Sequence, residues 1–305
     1  MSKQINRLDA NETVFFKREL EYVKKKTYDK KYRMLKAKQF IPVSTEIPSG
    51  ADTHTWVSYG KVGVAKIVAD YAHDFPRVDL YGEEVTSYVR SLGDSYGYSI
   101  KEIRRAQMKG MPLSQRKANT ARQAMEELMD RLAWVGDANA NLQGFLNYPG
   151  ITEATLTTGT GGNTWALKTP DEIIADLTAL KTAVSVPTNG VEEINQILLP
   201  RTQYELIANK RMTDGDSTTV LNFFKNNNPS IMVDVLDQLD GYGDSGADRM
   251  IGYVRDPDHL TQEIPQMFEQ FEADKQGAEY VIPCHAEFAG VNVYYPQSVA
   301  YMDGI

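Results

Sequence analysis

Two strand-forming runs in the first third of the chain constrain its fold more than anything else in the sequence. The first is Trp56-Val57-Ser58-Tyr59-Gly60-Lys61-Val62-Gly63-Val64-Ala65-Lys66-Ile67. The second is Glu84-Val85-Thr86-Ser87-Tyr88-Val89-Arg90-Ser91-Leu92. Both mix β-branched and aromatic residues with polar ones, which reads as strand. Neither has a strongly apolar face. Paired, they make a two-stranded ribbon, and such a ribbon is marginal by itself in water. It needs a surface to lie on, and that surface can belong to another copy of the chain. Trp56 and Tyr59 are the candidate anchors for such a contact. The alternative is that both pack on their own subunit.

Charge adds a second constraint. Residues 1–40 hold twelve Lys or Arg against five Asp or Glu, a net of +7, whereas the whole chain carries −8. The other residues therefore carry −15. A basic leader on an acidic body suggests a segment that docks on something negative. Lys24, Lys25, Lys26, Lys30 and Lys31 form its densest part. The candidate partners are the acidic body of a neighbouring copy, a scaffold protein or nucleic acid; the alternative is a solvated helix. Residues 10–38 have too few apolar positions to fold alone. Pro42, Pro48 and Gly50 mark a linker before the ribbon.

A chain of 305 residues with 42% apolar and 24% charged residues is long and apolar enough for one large domain or two modest ones. No run of about 18 apolar residues suggests a membrane span. The opening residues lack the apolar core of a signal peptide. The single cysteine, Cys284, rules out an intramolecular disulfide and fits a reducing compartment.

After the ribbon, Ser99-Ile100-Lys101-Glu102 is a capping box that starts a short helix ending near Gly110. A longer helix is predicted over 114–135. Its apolar stripe is Ala121, Met125, Leu128, Leu132 and Val135, and Gly136 stops it. Residues 155–164 read as a flexible Gly/Thr-rich surface loop. Thr169-Pro170-Asp171-Glu172 then opens a helix carrying Ile173, Ile174, Leu177, Leu180 and Val184. Ile194–Leu199 reads as a buried strand, Pro200 opens a helix, and the last forty residues look β-rich. The series is α+β, without a regular βαβ alternation.

Catalytic and ligand motifs are thin. Gly162 is followed by Asn163 and Thr164, not by the Lys of a phosphate-binding loop. Asp234, Asp237, Asp240, Asp244 and Asp248 lack the spacing of an EF-hand, so an acidic turn is the expectation over a calcium site. His54, His73, His259 and His285 form no His-Glu-x-x-His pattern. Cys284 and His285 are adjacent, and neighbours on a strand face opposite ways. No enzyme, cofactor or metal is expected.

Several segments resemble known sequences. Gly144-Phe145-Leu146-Asn147-Tyr148-Pro149-Gly150-Ile151 follows the long helix. Near the end come Ile264-Pro265-Gln266-Met267-Phe268-Glu269, Val281-Ile282-Pro283-Cys284, Gly290-Val291, Tyr295-Pro296 and Ala300-Tyr301-Met302-Asp303-Gly304-Ile305. In content and order, over about residues 50–305, the chain resembles major capsid proteins of tailed bacteriophages with the Hong Kong 97 fold. That resemblance implies a basic N-terminal arm at 1–45 and a β-ribbon, the E-loop, at 46–98. It implies a peripheral domain at 99–172 and 252–288 with a spine helix at 114–135. An axial domain would take 173–251 and 289–305.

The implied function is a structural protein that assembles, as hexamers and pentamers of itself, into an icosahedral shell around phage double-stranded DNA. Assembly would occur in the host bacterial cytoplasm and end in the virion. Packaged DNA would be touched non-specifically; scaffold, portal and decoration proteins are possible partners, and no membrane is involved. With Met1 as the start there is no room for a cleaved scaffold segment, so a scaffold would be a separate protein. An encapsulin-type nanocompartment shell is the alternative with the same fold, and a soluble enzyme is a more distant one.

Overall fold

The computed structural model describes residues 34–62, 77, 79–109, 115–213, 215 and 217–305. The chain divides into two units, Met1–Met34 and Leu35–Ile305, and every helix and strand among the described residues belongs to the second.

That unit begins with a single helical turn, α1 (Ala37–Phe40), fastened through its backbone. Asp130 accepts from the Lys36 and Ala37 amides at 2.9 and 2.8 Å, and Lys36 Nζ donates to Val235 O at 2.5 Å. The ribbon follows. Strands β1 (Thr53–Val62) and β2 (Asp79–Tyr88) pair antiparallel without a break, from Thr53 opposite Tyr88 to Val62 opposite Asp79. Opposed residues share a face. Thr55 and Thr86 face each other with hydroxyls 2.9 Å apart, and the Tyr59 ring lies over Gly82. Among the described residues the sheet has only these two strands.

The expected second strand, 84–92, is two strands in the structure. Val89 leaves the ribbon, its amide donating to Asp52 O at 2.9 Å. Strand β3 (Arg90–Ser99) then joins a different sheet. Gly93 and Gly97 hide β3 from a propensity reading, since glycine weakens a strand call by lacking a side chain to pack. Ten residues of β3 pair with ten of a long strand near the C-terminus, and that register holds it extended.

Ser99 closes β3 and caps α2 (Ile100–Lys109). The Ser99 amide donates to Glu102 Oε2 at 3.0 Å, and the Glu102 amide donates to Ser99 Oγ at 3.2 Å. The spine, α3 (Arg116–Val135), has 20 residues, a length of about 30 Å at 1.5 Å per residue. Its buried stripe is Ala121, Met125, Met129 and Leu132. Met129, not Leu128, takes the inward place; Leu128 is half-buried and Val135 is exposed. A helix of 3.6 residues per turn does not repeat on a fixed three-four count, so the face drifts along its length.

Gly136, at φ +70°, turns the chain, because any Cβ there would lie 2.4 Å from Leu142 O. The following Gly144-Phe145-Leu146-Asn147 then caps α3. Phe145 and Leu146 amides donate to Ala133 O and Trp134 O, and Asn147 Nδ2 donates to Val135 O at 3.1 Å. Carbonyls in the last turn of a helix lack intrahelical partners, and this segment supplies them.

The remaining elements in order are α4 (Pro170–Ser185), β4 (Gln196–Leu199), α5 (Arg201–Asn209), α6 (Val220–Asn227), β5 (Met232–Val235), β6 (Arg249–Tyr253), β7 (Leu260–Glu263), β8 (Gln266–Gln270), β9 (Asp274–Gln276), β10 (Glu279–Phe288), β11 (Val291–Val293) and β12 (Val299–Asp303). Strand β10 pairs with β3 on one side and with β8 and β9 on the other. A five-stranded sheet runs in the order Thr152–Glu153, β12, β6, β4, β5. Period-two alternation gives its two faces to two cores. Leu198, Ile251, Tyr253 and Tyr301 pack with Trp134 and Phe145 beside α3. Ile197, Leu199, Met250, Ala300 and Met302 pack with α4, α5 and α6. Gly252 lets α4 approach closely, since a Cβ there would be 2.9 Å from the Leu180 side chain.

The C-terminal segment locks both halves of the sheet. Arg249 donates to both Asp303 oxygens at 2.6 Å and to Leu146 O at 2.5 Å, and Tyr301 donates to Phe145 O at 2.5 Å. Burial alone would raise Asp303, but the hydrogen bonds donated by Arg249 and by the Asp244 amide, with the Arg249 charge, outweigh it and hold the carboxyl below the usual carboxylate range.

Candidate functional site

The ribbon is moored at its base. Trp56 is half-buried; its ring meets Tyr294 edge-on at 5.5 Å and 85°, and His54 lies 5.5 Å away. Ser87 Oγ donates to Asn292 Oδ1 at 2.9 Å from the same face. Beneath, Tyr294 hydroxyl bonds to Thr261 at 2.8 Å and to Glu263 at 3.1 Å, and burial pushes it up to about 12. Trp56 thus packs on its own subunit.

Tyr59 does the opposite. It lies on the other face of the ribbon and is 71% exposed. Leu80 is 71% exposed on that face, and Tyr81 is 64% exposed on the Trp56 face. The outer end of the ribbon thus carries large exposed side chains on both faces, Tyr59 and Leu80 on one and Tyr81 on the other. Lys24, Lys25, Lys26, Lys30 and Lys31 lie outside the described residues.

A second basic surface escaped the sequence reading. Residues 100–122 contain Lys101, Arg104, Arg105, Lys109, Arg116, Lys117 and Arg122 against the single acid Glu102. Lys101, Arg104 and Arg105 are exposed on α2. Lys117 is spoken for: it donates to Gly97 O at 2.7 Å, pairs with Glu102 at 3.1 Å and sits 4.8 Å over the Tyr98 ring. The cap and Lys117 hold Glu102 below the usual carboxylate range. The signal is the charge content of residues 100–122, seven Lys or Arg against one Glu. Beside it, Tyr96, Tyr98, Ala118, Arg122, Phe268 and Gln270 line an open groove of about 600 Å³.

The loop at 155–164 is tied down, contrary to the flexible loop expected. Asp176 accepts from Thr157 N at 2.9 Å, Thr157 Oγ1 at 2.5 Å, Trp165 Nε1 at 2.9 Å and Lys168 Nζ at 2.5 Å. The Asp176 and Lys168 side chains are wholly buried. Glu172 completes the capping box of α4 and also accepts from the Thr160 amide and hydroxyl at 2.8 and 2.7 Å. Backbone donors at Thr169 and Thr160 lower Glu172 to about 2. Composition alone reports a Gly/Thr run as loose, but the carboxylates that pin this one lie on the next helix.

The aspartate turn is also internally bonded. Asp248 accepts from Gly241 N at 3.0 Å and Gln203 at 2.9 Å, and a hydrogen bond to Asp248 raises Asp240. Arg201 clasps Asp237 with two bonds of 2.9 and 3.2 Å. Among the described residues no cluster of three metal-ligating side chains occurs. Cys284 is buried, and burial pushes its thiol up; His285 lies beside Phe271. No helix among the described residues is long and apolar enough to cross a membrane.

Comparison with known proteins places this geometry. A family model described as major capsid protein matches residues 63–305. No curated protein matches the chain. Among solved structures, the capsid of Myoviridae phage XM1 is similar with a TM-score of 0.80 at 20% identity, covering 96% of this chain and 99% of that one. Mycobacterium phage Ogopogo gives 0.60 at 14%, covering 93% and 96%. The capsid of a native GTA particle gives 0.66 at 11%, covering 97% and 99%. At such identities the likeness is one of fold.

Proposed function

Because the chain belongs to the major capsid protein family, we propose that each copy is one tile of an icosahedral phage head, held by segments laid on its neighbours. It is a structural shell protein with an α+β fold of the Hong Kong 97 type, found in the virion. The family match sets the nanocompartment alternative aside. In this reading residues 46–98 are the E-loop and 1–45 the arm. Residues 99–172 and 252–288 form the peripheral domain, and 173–251 and 289–305 the axial domain.

The supporting observation is the ribbon: two strands only among the described residues, moored at the base and exposing Tyr59, Leu80 and Tyr81 at the outer end. A contact of that kind is modest singly. A tile engaged by several neighbours gains through effective concentration, and heterologous contacts that close produce rings and then a shell. The leader, with Lys24, Lys25, Lys26, Lys30 and Lys31, would grip the acidic body of a neighbour or the packaged DNA. The acidic remainder limits adhesion to DNA. Scaffold, portal and decoration proteins are further partners in this scheme. Assembly takes place in the host cytoplasm, and no catalytic step is assigned.

Negative-stain imaging of the purified chain tests the reading. Closed shells of uniform size are expected; a chain that stays a small oligomer at every concentration and salt refutes it.

A further inference from the structure

We propose that the base of the ribbon binds a calcium ion, held by Glu263, Thr261, Asn292 and Tyr294, and that the ion steadies the ribbon's mooring. The site belongs to the single subunit and stands independently of the shell reading.

Its centre is a carboxylate without a counter-charge. Glu263 ends β7 and is 2% exposed. Its Oε1 accepts from the Thr261 hydroxyl at 2.6 Å and lies 3.1 Å from the Tyr294 hydroxyl. Its Oε2 is buried with no hydrogen-bond partner, and no Lys, Arg or His pairs with the group among the described residues. A buried charge is costly unless it is paired or coordinates a metal.

The neighbouring oxygens are short of protons. Thr261 Oγ1 lies 2.8 Å from the Tyr294 oxygen, so the three oxygens close a triangle with edges of 2.6, 2.8 and 3.1 Å. Around a carboxylate, the two hydroxyls have two protons for three edges. One edge is then a bare oxygen–oxygen contact, which a cation seated against the triangle relieves. Asn292 stands opposite Thr261 on the adjacent strand β11, on the same face, and is wholly buried. Its Oδ1 accepts from Ser87 at 2.9 Å, and its Nδ2 has no partner. Turned over, the amide donates to Ser87 Oγ and puts its carbonyl oxygen where the free nitrogen was. One carboxylate and three neutral oxygens then face one point.

The site has a way in. Thr261 and Tyr294 also line a cavity of about 500 Å³ whose other walls include Ser44, Glu46 and Asp258. Glu46 and Asp258 are exposed acids that draw cations to this mouth. Water in the cavity completes the shell. Calcium accepts an irregular set of oxygens, whereas magnesium demands a near-ideal octahedron, so this donor set favours calcium. With a single carboxylate, affinity falls in the weak class, on the order of 0.1–1 mM.

The ligands are also the mooring. Tyr294 meets Trp56 edge-on and Asn292 accepts from Ser87, so an ion that fixes Tyr294 and Asn292 fixes both strands of the ribbon at their base.

The test uses dissociated subunits of the full chain and terbium as a luminescent stand-in for calcium, excited through Trp56 and Tyr294. Saturable emission that calcium displaces is expected. Glu263→Gln should weaken binding on the order of tenfold or more, since it removes the only charged ligand. E46Q/D258N changes only exposed side chains at the mouth and should weaken it a few-fold, which keeps the test alive if Glu263→Gln fails to fold. Trp56→Phe should dim the emission without shifting its midpoint. Calcium should slow proteolytic nicking of residues 53–88 several-fold in the wild type and not in Glu263→Gln. Absence of saturable emission overturns the site. So does emission that a folded Glu263→Gln or Trp56→Phe leaves unchanged, which places the ion elsewhere, as at the aspartate turn. Calcium that binds without slowing the nicking overturns the mooring role.

Discussion

Removing the Asp176 carboxylate should nearly unfold the half of the molecule built on α4. Asp176 and Lys168 are fully buried, and Asp176 accepts four hydrogen bonds. D176A leaves an ammonium group in the core, together with the Trp165 indole N–H and the Thr157 amide, with no acceptor. Breaking a buried ion pair from one side costs about 3–5 kcal/mol. Each stranded neutral donor adds about 1–3 kcal/mol where it cannot relax to water. Against a total stability of about 5–15 kcal/mol, such a loss is close to decisive.

K168M/D176L removes both charges and keeps volume. It should cost about 1–3 kcal/mol for each of the three remaining donors that cannot relax to water, without the charge penalty, so the single changes are strongly non-additive. The assay is urea unfolding of dissociated subunits, followed by tryptophan fluorescence, since Trp165 reports from the site. A loss under about 1 kcal/mol for D176A, or a double variant as costly as the two singles summed, would refute the reasoning.

Other expectations are simpler. Trp56→Ala loses an edge-on aromatic contact with Tyr294, about 0.5–1.5 kcal/mol. Proteolytic nicking within residues 53–88 of the unassembled subunit should accelerate, while the melting temperature of the body changes little. Deleting residues 1–33 spares the backbone bonds from Lys36 and Ala37 to Asp130, so the body should melt as before but assemble poorly; normal shell yield would count against the leader. Glu172, held at about 2 against an ordinary 4.5, contributes stability that is complete above its ordinary value and lost as pH falls toward 2. Glu172→Gln should flatten the loss of stability over that interval in acid denaturation; an unchanged acid limb would contradict it.

The legible parts of the fold were those with local chemistry. Ser99–Glu102 and Thr169–Glu172 both form the reciprocal bonds their spacing implies. The spine helix declared itself through Ala121, Met125 and Leu132, and Ile197–Leu199 through its continuous apolar run. What stayed hidden depends on partners distant in sequence. Strand β3 is extended because β10, nearly two hundred residues on, pairs with it, and its own glycines argue otherwise. Lys168 and Asp176 carry no local signal of burial; their enclosure depends on Trp165 and Thr157 closing over them. At the candidate site the sequence named both Trp56 and Tyr59, but only contact with Tyr294 separates the mooring residue from the exposed one. The α2 cations are legible in the composition of residues 100–122, although the denser run of residues 1–40 dominates the charge pattern.

Hydrogen exchange on the ribbon, compared between dissociated subunits and assembled particles, tests the central claim most directly. Among the described residues the outward-facing amides of residues 53–62 and 79–88 have no strand beyond them to pair with. If sister molecules cover the ribbon, amides around Tyr59, Leu80 and Tyr81 should exchange far more slowly in the particle. Equal exchange in the two states would contradict it.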